Sequence, residues 1–520
     1  MKNIREALLM AGVLVLYAFW WMILHPWLGH MLDSDGVAYL TMAEQAAKGE
    51  WMRSVNGLWS PLNSWLLVPF IRMGYEPFAV AKVMNGAIGA VLLVQVHVLF
   101  RRFRLSFLAR TLLLSAAAIA VGFFTYFQMF GDVLQLLFAM TYLQLLCSPR
   151  FFSSLLFPAL AGLLMGLGFY AKAYSLMFFL LHFAVILFFA FRKGLLIKQQ
   201  VLRFLLTGYV VALLSVLPWT LALHQKYEVW TFSGLAGKLN MSWYINSGKT
   251  FKPEIRLLIP PPYADSPAFW EDPWLSQDKL SSPLSSPRHF MRWTARVVHT
   301  TLVAIGCMNE LSVLGIGLIL LGVWYFLMRQ KTESDKGEEA FPLLVLWLTI
   351  LLLPSGYLLM HIETRYLWLS VFPLMVLGAF WAQHYLTGLQ EKAAIFVLAV
   401  SFILTPLLQT EQLKGKNSDL FRIAEELKAK GFEGKFTANV QDAGTMWVIA
   451  YLTGSNFYTI EKSGYSREEL LQEMDRYGVE HYLLRAENNP VDTTGMGREF
   501  EFAGRTEDVL WFRRAIRRVP

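Results

Sequence analysis

About eleven stretches of this chain are apolar over enough residues to cross a bilayer, and that limits its folds more than any other feature. In hydrocarbon every backbone N–H and C=O must pair within the segment, so only helices and closed barrels span. A barrel would show ten-residue alternation, and these runs are continuous. The chain is 55% hydrophobic and only 16% charged, against about 25% charged in an ordinary soluble chain. A soluble enzyme is therefore excluded, and the chain reads as an α-helical polytopic membrane protein with about 11 transmembrane helices. The first run, from Ala7 to Leu28, follows Lys2 and Arg5; it is too long for a signal peptide and is read as a retained helix. The others centre on 78–99, 107–126, 132–147, 153–171, 174–191, 202–222, 308–328, 341–360, 367–386 and 393–410.

Lys and Arg in the short loops set orientation. With the N-terminus inside, the inner segments hold Lys2 and Arg5, then Arg101, Arg102, Arg104 and Arg110, Arg150, Arg192, Lys193, Lys198 and Arg203, Arg329, Lys331 and Lys336, and Lys392. The short outer turns hold Lys172 and Arg365. The net charge of +8 is thus a topology signal, and no nucleic-acid partner is implied. The expected membrane is the bacterial inner membrane, with the outer segments in the periplasm; an endoplasmic-reticulum membrane is the alternative. Two cysteines exclude a disulfide scaffold or a cysteine-rich metal site.

Three outer segments are long. The first, about 30–75, is expected to carry surface helices at Val37–Lys48 and Pro61–Met73. The second, about 224–296, is rich in proline and interfacial aromatics and is expected to be a lid with few regular elements. The third is the tail. Residues 1–412 are read as the membrane domain and 413–520 as a small periplasmic or lumenal α/β domain. Its expected helices are Asp419–Lys430, Thr445–Leu452 and Arg467–Tyr477, the last opened by a Ser466/Glu469 capping box. Its expected strands are Phe436–Val440, Phe457–Ile460, His481–Leu484, Glu499–Phe502 and Val509–Phe512.

Ionisable groups at membrane depth are expensive and mark function. This threading gathers them on the outer side: Asp33 and Asp35 after the first helix, Asp132 opening the fourth, Lys172 ending the fifth, and His361, Glu363 and Arg365 in one turn. Each has a plainer reading. Either aspartate can cap a helix, Lys172 can snorkel, and Gly162 with Gly166 can serve helix packing. Acids facing cations suit transfer from a phosphate-linked donor: the cations neutralise phosphate and a carboxylate takes the proton of an attacking hydroxyl. On the outer side such a donor is lipid-linked.

Asp35-x-x-x-Tyr39-x-x-x-Ala43, then Gly49, Trp51 and Ser60-Pro61-Leu62-x-x-Trp65, resembles the first outer loop of GT-C glycosyltransferases. The branch it is most similar to holds the protein O-mannosyltransferases and lipid A aminoarabinose transferases. Gly131-Asp132-Val133-Leu134, Gly166 to Lys172, and His361-Ile362-Glu363-Thr364-Arg365-Tyr366 resemble further segments of that family, in family order. The resemblance implies a polyprenyl-phosphate sugar as donor and a hydroxyl of a protein, lipid or glycan as acceptor. Asp35 then takes the place of the base, with Asp33 beside it. Lys172 and Arg365 take the donor phosphate. Asp132, Glu363, His361, Tyr39 and Tyr366 orient those groups or the acceptor. Many relatives have an acid directly after the first-loop aspartate; here Gly36 stands there and Asp33 lies two before, so a divalent cation at Asp33/Asp35 is left open. The alternative is a transporter or flippase of a lipid-linked glycan. It predicts inverted repeats and broken helices near mid-membrane, of which the sequence gives no sign.

Overall fold

The computed structural model describes residues 2–127, 131–246, 257–276, 280–329, 339–439, 443–460, 465–485, 499–506 and 508–514. Among them, eight helices are long and apolar enough to cross a membrane, or nine if one bent pair counts as a span. The spanning set includes α1 (Lys2–Leu28), α4 (Pro77–Arg102), α5 (Phe107–Phe127), α8 (Tyr174–Arg192) and α9 (Lys198–Tyr227). Two expected spans form helices of 15 and 16 residues, α6 (Asp132–Leu146) and α7 (Leu156–Ala171). Both fall short of the roughly 20 residues a perpendicular crossing needs. Lys331, Lys336 and Val440 lie outside the described residues.

Between α1 and α4 lie α2 (Ser34–Ala47) and α3 (Leu62–Arg72), close to the two surface helices expected. Asp33 begins α2 as its N-cap, its Oδ1 accepting the Gly36 N–H at 2.9 Å. Gly162 packs α7 against α9: a Cβ there would lie 2.3 Å from the Gly208 carbonyl oxygen. The pair Gly162 and Gly166 thus serves helix packing.

The run 308–328 is not one helix, and this corrects the sequence reading. The second outer segment instead contains α10 (Ala236–Ile245) and ends in α11 (Pro287–Leu311), followed by α12 (Gly315–Arg329). The last two meet at 104°. Ser286 and Pro287 start α11 with a side-chain cap on His289 N–H and a proline at the first turn. Thr300, Ala304, Cys307, Met308 and Leu311 form its buried stripe, while Arg288 and Arg292 stand on other faces. A mixed face of this kind is invisible to a hydropathy window. The bend is held by Thr405, which donates to the Leu311 carbonyl at 3.0 Å, and by Ser312, bonded to Ser401 at 2.8 Å. It also needs a glycine, because a Cβ on Gly315 would sit 2.0 Å from the Met308 carbonyl oxygen.

The last spans are α13 (Ala340–Leu352), α14 (Val371–Tyr385) and α15 (Gly388–Leu413). In the tail, α16 (Ser418–Ala429), α17 (Ala443–Thr453) and α18 (Arg467–Tyr477) accompany a five-stranded sheet of order β3-β2-β5-β7-β6. Its strands are β2 (Lys435–Ala438), β3 (Asn456–Phe457), β5 (His481–Arg485), β6 (Phe500–Arg505) and β7 (Val509–Arg514). Strand β2 runs parallel to β3 and β5, whereas β7 is antiparallel to β5 and β6. The Ser466/Glu469 capping box on α18 is present. One buried cluster joins Leu420, Ile423, Phe436 and Ile449 of the tail to Leu32, Val37, Leu40 and Leu67 of the first outer segment. A short strand of the second outer segment, β1 (Leu258–Ile259), pairs antiparallel with β4 (Thr459–Ile460).

At the other end of the helices, Arg110 pairs with Glu6 at 2.6 Å, Arg5 lies over Phe107, and Arg102 donates to the Cys147 carbonyl. Basic residues assigned to one side of the membrane therefore lie together.

Candidate active site

Helix ends bring the expected polar residues together. Asp132 is the first residue of α6, and Lys172 is the C-cap of α7. Gly131 makes their approach close: a Cβ there would be 2.2 Å from the Ala171 carbonyl oxygen. Lys172 is bonded to Asp132 and lies 4.0 Å from the centre of the Tyr366 ring. We expect Gly131→Ala to push α6 from α7 and open the Asp132–Lys172 pair. The overpacking should destabilise by about 1–3 kcal/mol. A thermal melt in detergent indistinguishable from wild type would refute this.

Arg365 is the hub. Its Nε lies 2.8 Å from Glu363 Oε2, its Nη1 4.0 Å from Asp132 Oδ2 and its Nη2 4.0 Å from Asp35 Oδ2. The guanidinium side chain is 8% exposed, while those of Asp35 and Glu363 are 30% and 36% exposed. His361 donates from Nε2 to Glu363 Oε1 at 2.8 Å. Its Nδ1 faces Arg296 Nη2 at 3.2 Å. Because a guanidinium can only donate, Nδ1 is the acceptor and the proton of a neutral imidazole sits on Nε2. Tyr366 OH is 3.4 Å from Glu363 Oε1.

Asp35 lies in the first turn of α2, and its Oδ1 accepts the Trp270 indole N–H at 2.9 Å. Burial raises its carboxyl above the usual range, against the Arg365 charge and the Trp270 hydrogen bond. Burial and the Asp35 charge likewise push Asp33 up to about 7. Burial alone would also raise Glu363, but the His361 hydrogen bond and the Arg365 charge outweigh it and hold that carboxyl at about 2. Tyr39 is buried on α2 near Asp132, Asp35 and Arg365.

At Asp33 and Asp35 one oxygen of each carboxylate accepts an N–H, and a guanidinium stands beside Asp35. Among the described residues no group of three His, Cys, Asp or Glu has metal-holding geometry.

The fold recurs in solved structures. The chain has the ArnT fold. ArnT from Cupriavidus metallidurans bound to undecaprenyl phosphate superposes with a TM-score of 0.55 at 10% identity, over 99% of this chain and 98% of that one. Its apo state superposes with a TM-score of 0.57 at 11% identity, over the same shares. No family model and no curated protein matches the chain. ArnT is a lipid A aminoarabinose transferase of the GT-C superfamily, so the fold is the one the sequence motifs led us to expect. At such identity ArnT supports the fold and assigns no role to any residue here.

Four residues of the cluster escaped the sequence reading. Arg296 also donates to the Met360 carbonyl at 3.2 Å and lies 3.7 Å from the Tyr244 ring centre. The spacing of Arg288, Arg292 and Arg296 by four residues was its helical signal. Tyr244 and Trp270 come from the second outer segment, where only their aromatic character was legible. Lys82 is buried on α4 and donates to the carbonyls of Leu28, Met31 and Tyr126 at 3.1–3.5 Å. It ties the end of α1, just before Asp33, to the end of α5.

Proposed function

We propose that this protein is a glycosyltransferase that moves a sugar from a polyprenyl-phosphate donor to an acceptor hydroxyl. One observation carries the reading: Asp35, Asp132, Lys172, Glu363 and Arg365 meet at one end of the membrane helices in a chain with the ArnT fold. A site at that end receives a lipid-linked donor from the bilayer, as the undecaprenyl phosphate bound to ArnT suggests by analogy. The acceptor oxygen attacks the anomeric carbon as the bond from that carbon to the phosphate oxygen breaks. Asp35 Oδ2 takes the acceptor's proton, and polyprenyl phosphate leaves with the bonding electron pair. Lys172 and Arg365 neutralise the phosphate; Asp132 and Glu363 hold those two cations in place. A phosphate is a good leaving group, so no separate general acid is required.

The basic inner loops argue that the site and the tail face the periplasm of a bacterial inner membrane. A reporter fused after Gln412 is then active only outside the cytosol, and a reporter active inside would reverse the assignment.

The bend between α11 and α12 is the observation that favours a transporter, since transporters use broken helices. Against it, the charged groups sit at helix ends on one side. Purified protein given a synthetic polyprenyl-phosphate sugar should release polyprenyl phosphate in step with glycosylated acceptor. Translocation of the intact donor across vesicles without sugar transfer would establish the transporter instead.

A further inference from the structure

The tail reaches Asp35 through two indoles. Trp270, whose N–H holds Asp35 Oδ1 at 2.9 Å, lies flat against Trp447 of α17, with ring centres 5.1 Å apart and planes 6° from parallel. Trp447 is itself fixed, donating from its indole to Thr459 Oγ1 on β4 at 3.1 Å. Trp59 meets the edge of Trp270, with centres 5.8 Å apart. The segment carrying Trp270 is sewn to the tail by the β1–β4 pairing, by the Phe457 N–H on the Pro267 carbonyl at 2.7 Å, and by Asn456 on the carbonyls of Ala264 and Ser266. The same helix α17 grips the far end of α2, where Tyr451 donates to Glu44 at 2.8 Å. Asp35 is thus held by Trp270, 235 residues away in the chain, and Trp270 in turn rests on Trp447 of the tail.

We propose that the C-terminal sheet region is a positioning part of the transfer site: Trp447 clamps Trp270, and the Trp270 N–H fixes the Asp35 carboxylate so that its second oxygen faces the acceptor. Trp270 acts through Asp35 and Trp447 acts through Trp270, so both are positioning residues. The inference rests on the reading of Asp35 as the base. It gives the tail a role in turnover rather than in anchoring or partner binding. The N–H stabilises the ionised carboxylate, while the stack sets where that N–H points.

The test uses the full-length protein in detergent or vesicles with a synthetic polyprenyl-phosphate sugar, in four variants. Trp270→Phe keeps the stack and removes the N–H; kcat should fall about 10- to 100-fold with little change in donor KM, the scale of loss from small misplacement at a reacting centre. Trp447→Ala should lower kcat about tenfold with KM again unchanged, whereas Trp447→Phe, which can still stack, should recover most of the rate. The double variant Trp270→Phe/Trp447→Ala should be no slower than Trp270→Phe, because both changes break one connection. Trp270→Phe should also move the acidic limb of kcat/KM to higher pH. Asp33, Glu363, Asp132, Tyr39, Tyr366, Lys172 and Arg365 surround Asp35 and are unaltered by it. Asp35→Asn separates the possible failures. If it is inactive while Trp447→Ala has wild-type kcat, only this inference falls. If it is active, or the wild type transfers no sugar, the reading of the site falls and the inference with it. A loss in Trp447→Ala that appears in KM alone, with an unmoved pH limb, also overturns the clamp.

Discussion

Asp35→Asn is expected to abolish sugar transfer, lowering kcat by about two to four orders of magnitude, the range associated with a positioned general base. The amide keeps the shape of the side chain and can still accept the Trp270 N–H, so donor binding should survive. Asp33→Asn should retain most turnover. Its position explains the difference: Asp33 caps α2 by accepting the Gly36 N–H, and asparagine caps a helix as well as aspartate does. Since burial raises the Asp35 carboxyl, activity that needs the ionised form should fall away as pH drops through a value above the usual carboxylate range of about 4. Transfer rates of the two variants across pH, beside donor-binding measurements, check all of this. An inactive Asp33→Asn paired with a fully active Asp35→Asn would invert the assignment.

Arg365→Ala is expected to damage both the fold and the donor site. The guanidinium stands among Asp35, Asp132 and Glu363, and its removal leaves three acids without their shared counter-charge. Breaking a buried pair costs about 3–5 kcal/mol; two of these acids are a third exposed, so the lower end, about 3 kcal/mol, is expected here. Donor affinity should drop at least about tenfold, or ~1.4 kcal/mol. Arg365→Lys should restore part of the stability but little of the affinity, because an ammonium cannot reach several oxygens in a fork. Thermal melts and donor titrations separate these effects. Lys172→Ala removes a point charge and should weaken donor binding without the same loss of fold. Unchanged affinity in both alanine variants would place the phosphate elsewhere.

Much of the architecture was legible because hydrophobic runs and caps are local signals. The apolar stretches mark the membrane helices, and the Ser466/Glu469 spacing marks the start of α18. The surface helices of the first outer segment came within a few residues of their observed bounds. Hydropathy failed at α11, because Arg288, His289, Arg292, Arg296 and His299 interrupt its apolar residues along the chain. The break at Ser312 depends on Thr405 and Ser401, which lie about ninety positions away. Gly315 is required there only because the Met308 carbonyl lies beneath it.

The sequence by itself determined that the chain lives in a bilayer, which helix ends carry charge, and that Asp35, Asp132, Lys172, Glu363 and Arg365 fall on one side. Those are consequences of composition, periodicity and the sign of loop charge, each read within a few turns of chain. Tertiary structure decided how the charges are shared: Lys172 on Asp132, Glu363 on Arg365, and Arg365 among three acids. It also decided that Asp33 caps while Asp35 faces an indole donor, and that Arg296, Tyr244, Trp270 and Trp447 belong to the site's surroundings. Such pairings depend on side-chain distances of a few ångströms between segments far apart in the chain, and no local pattern encodes those distances.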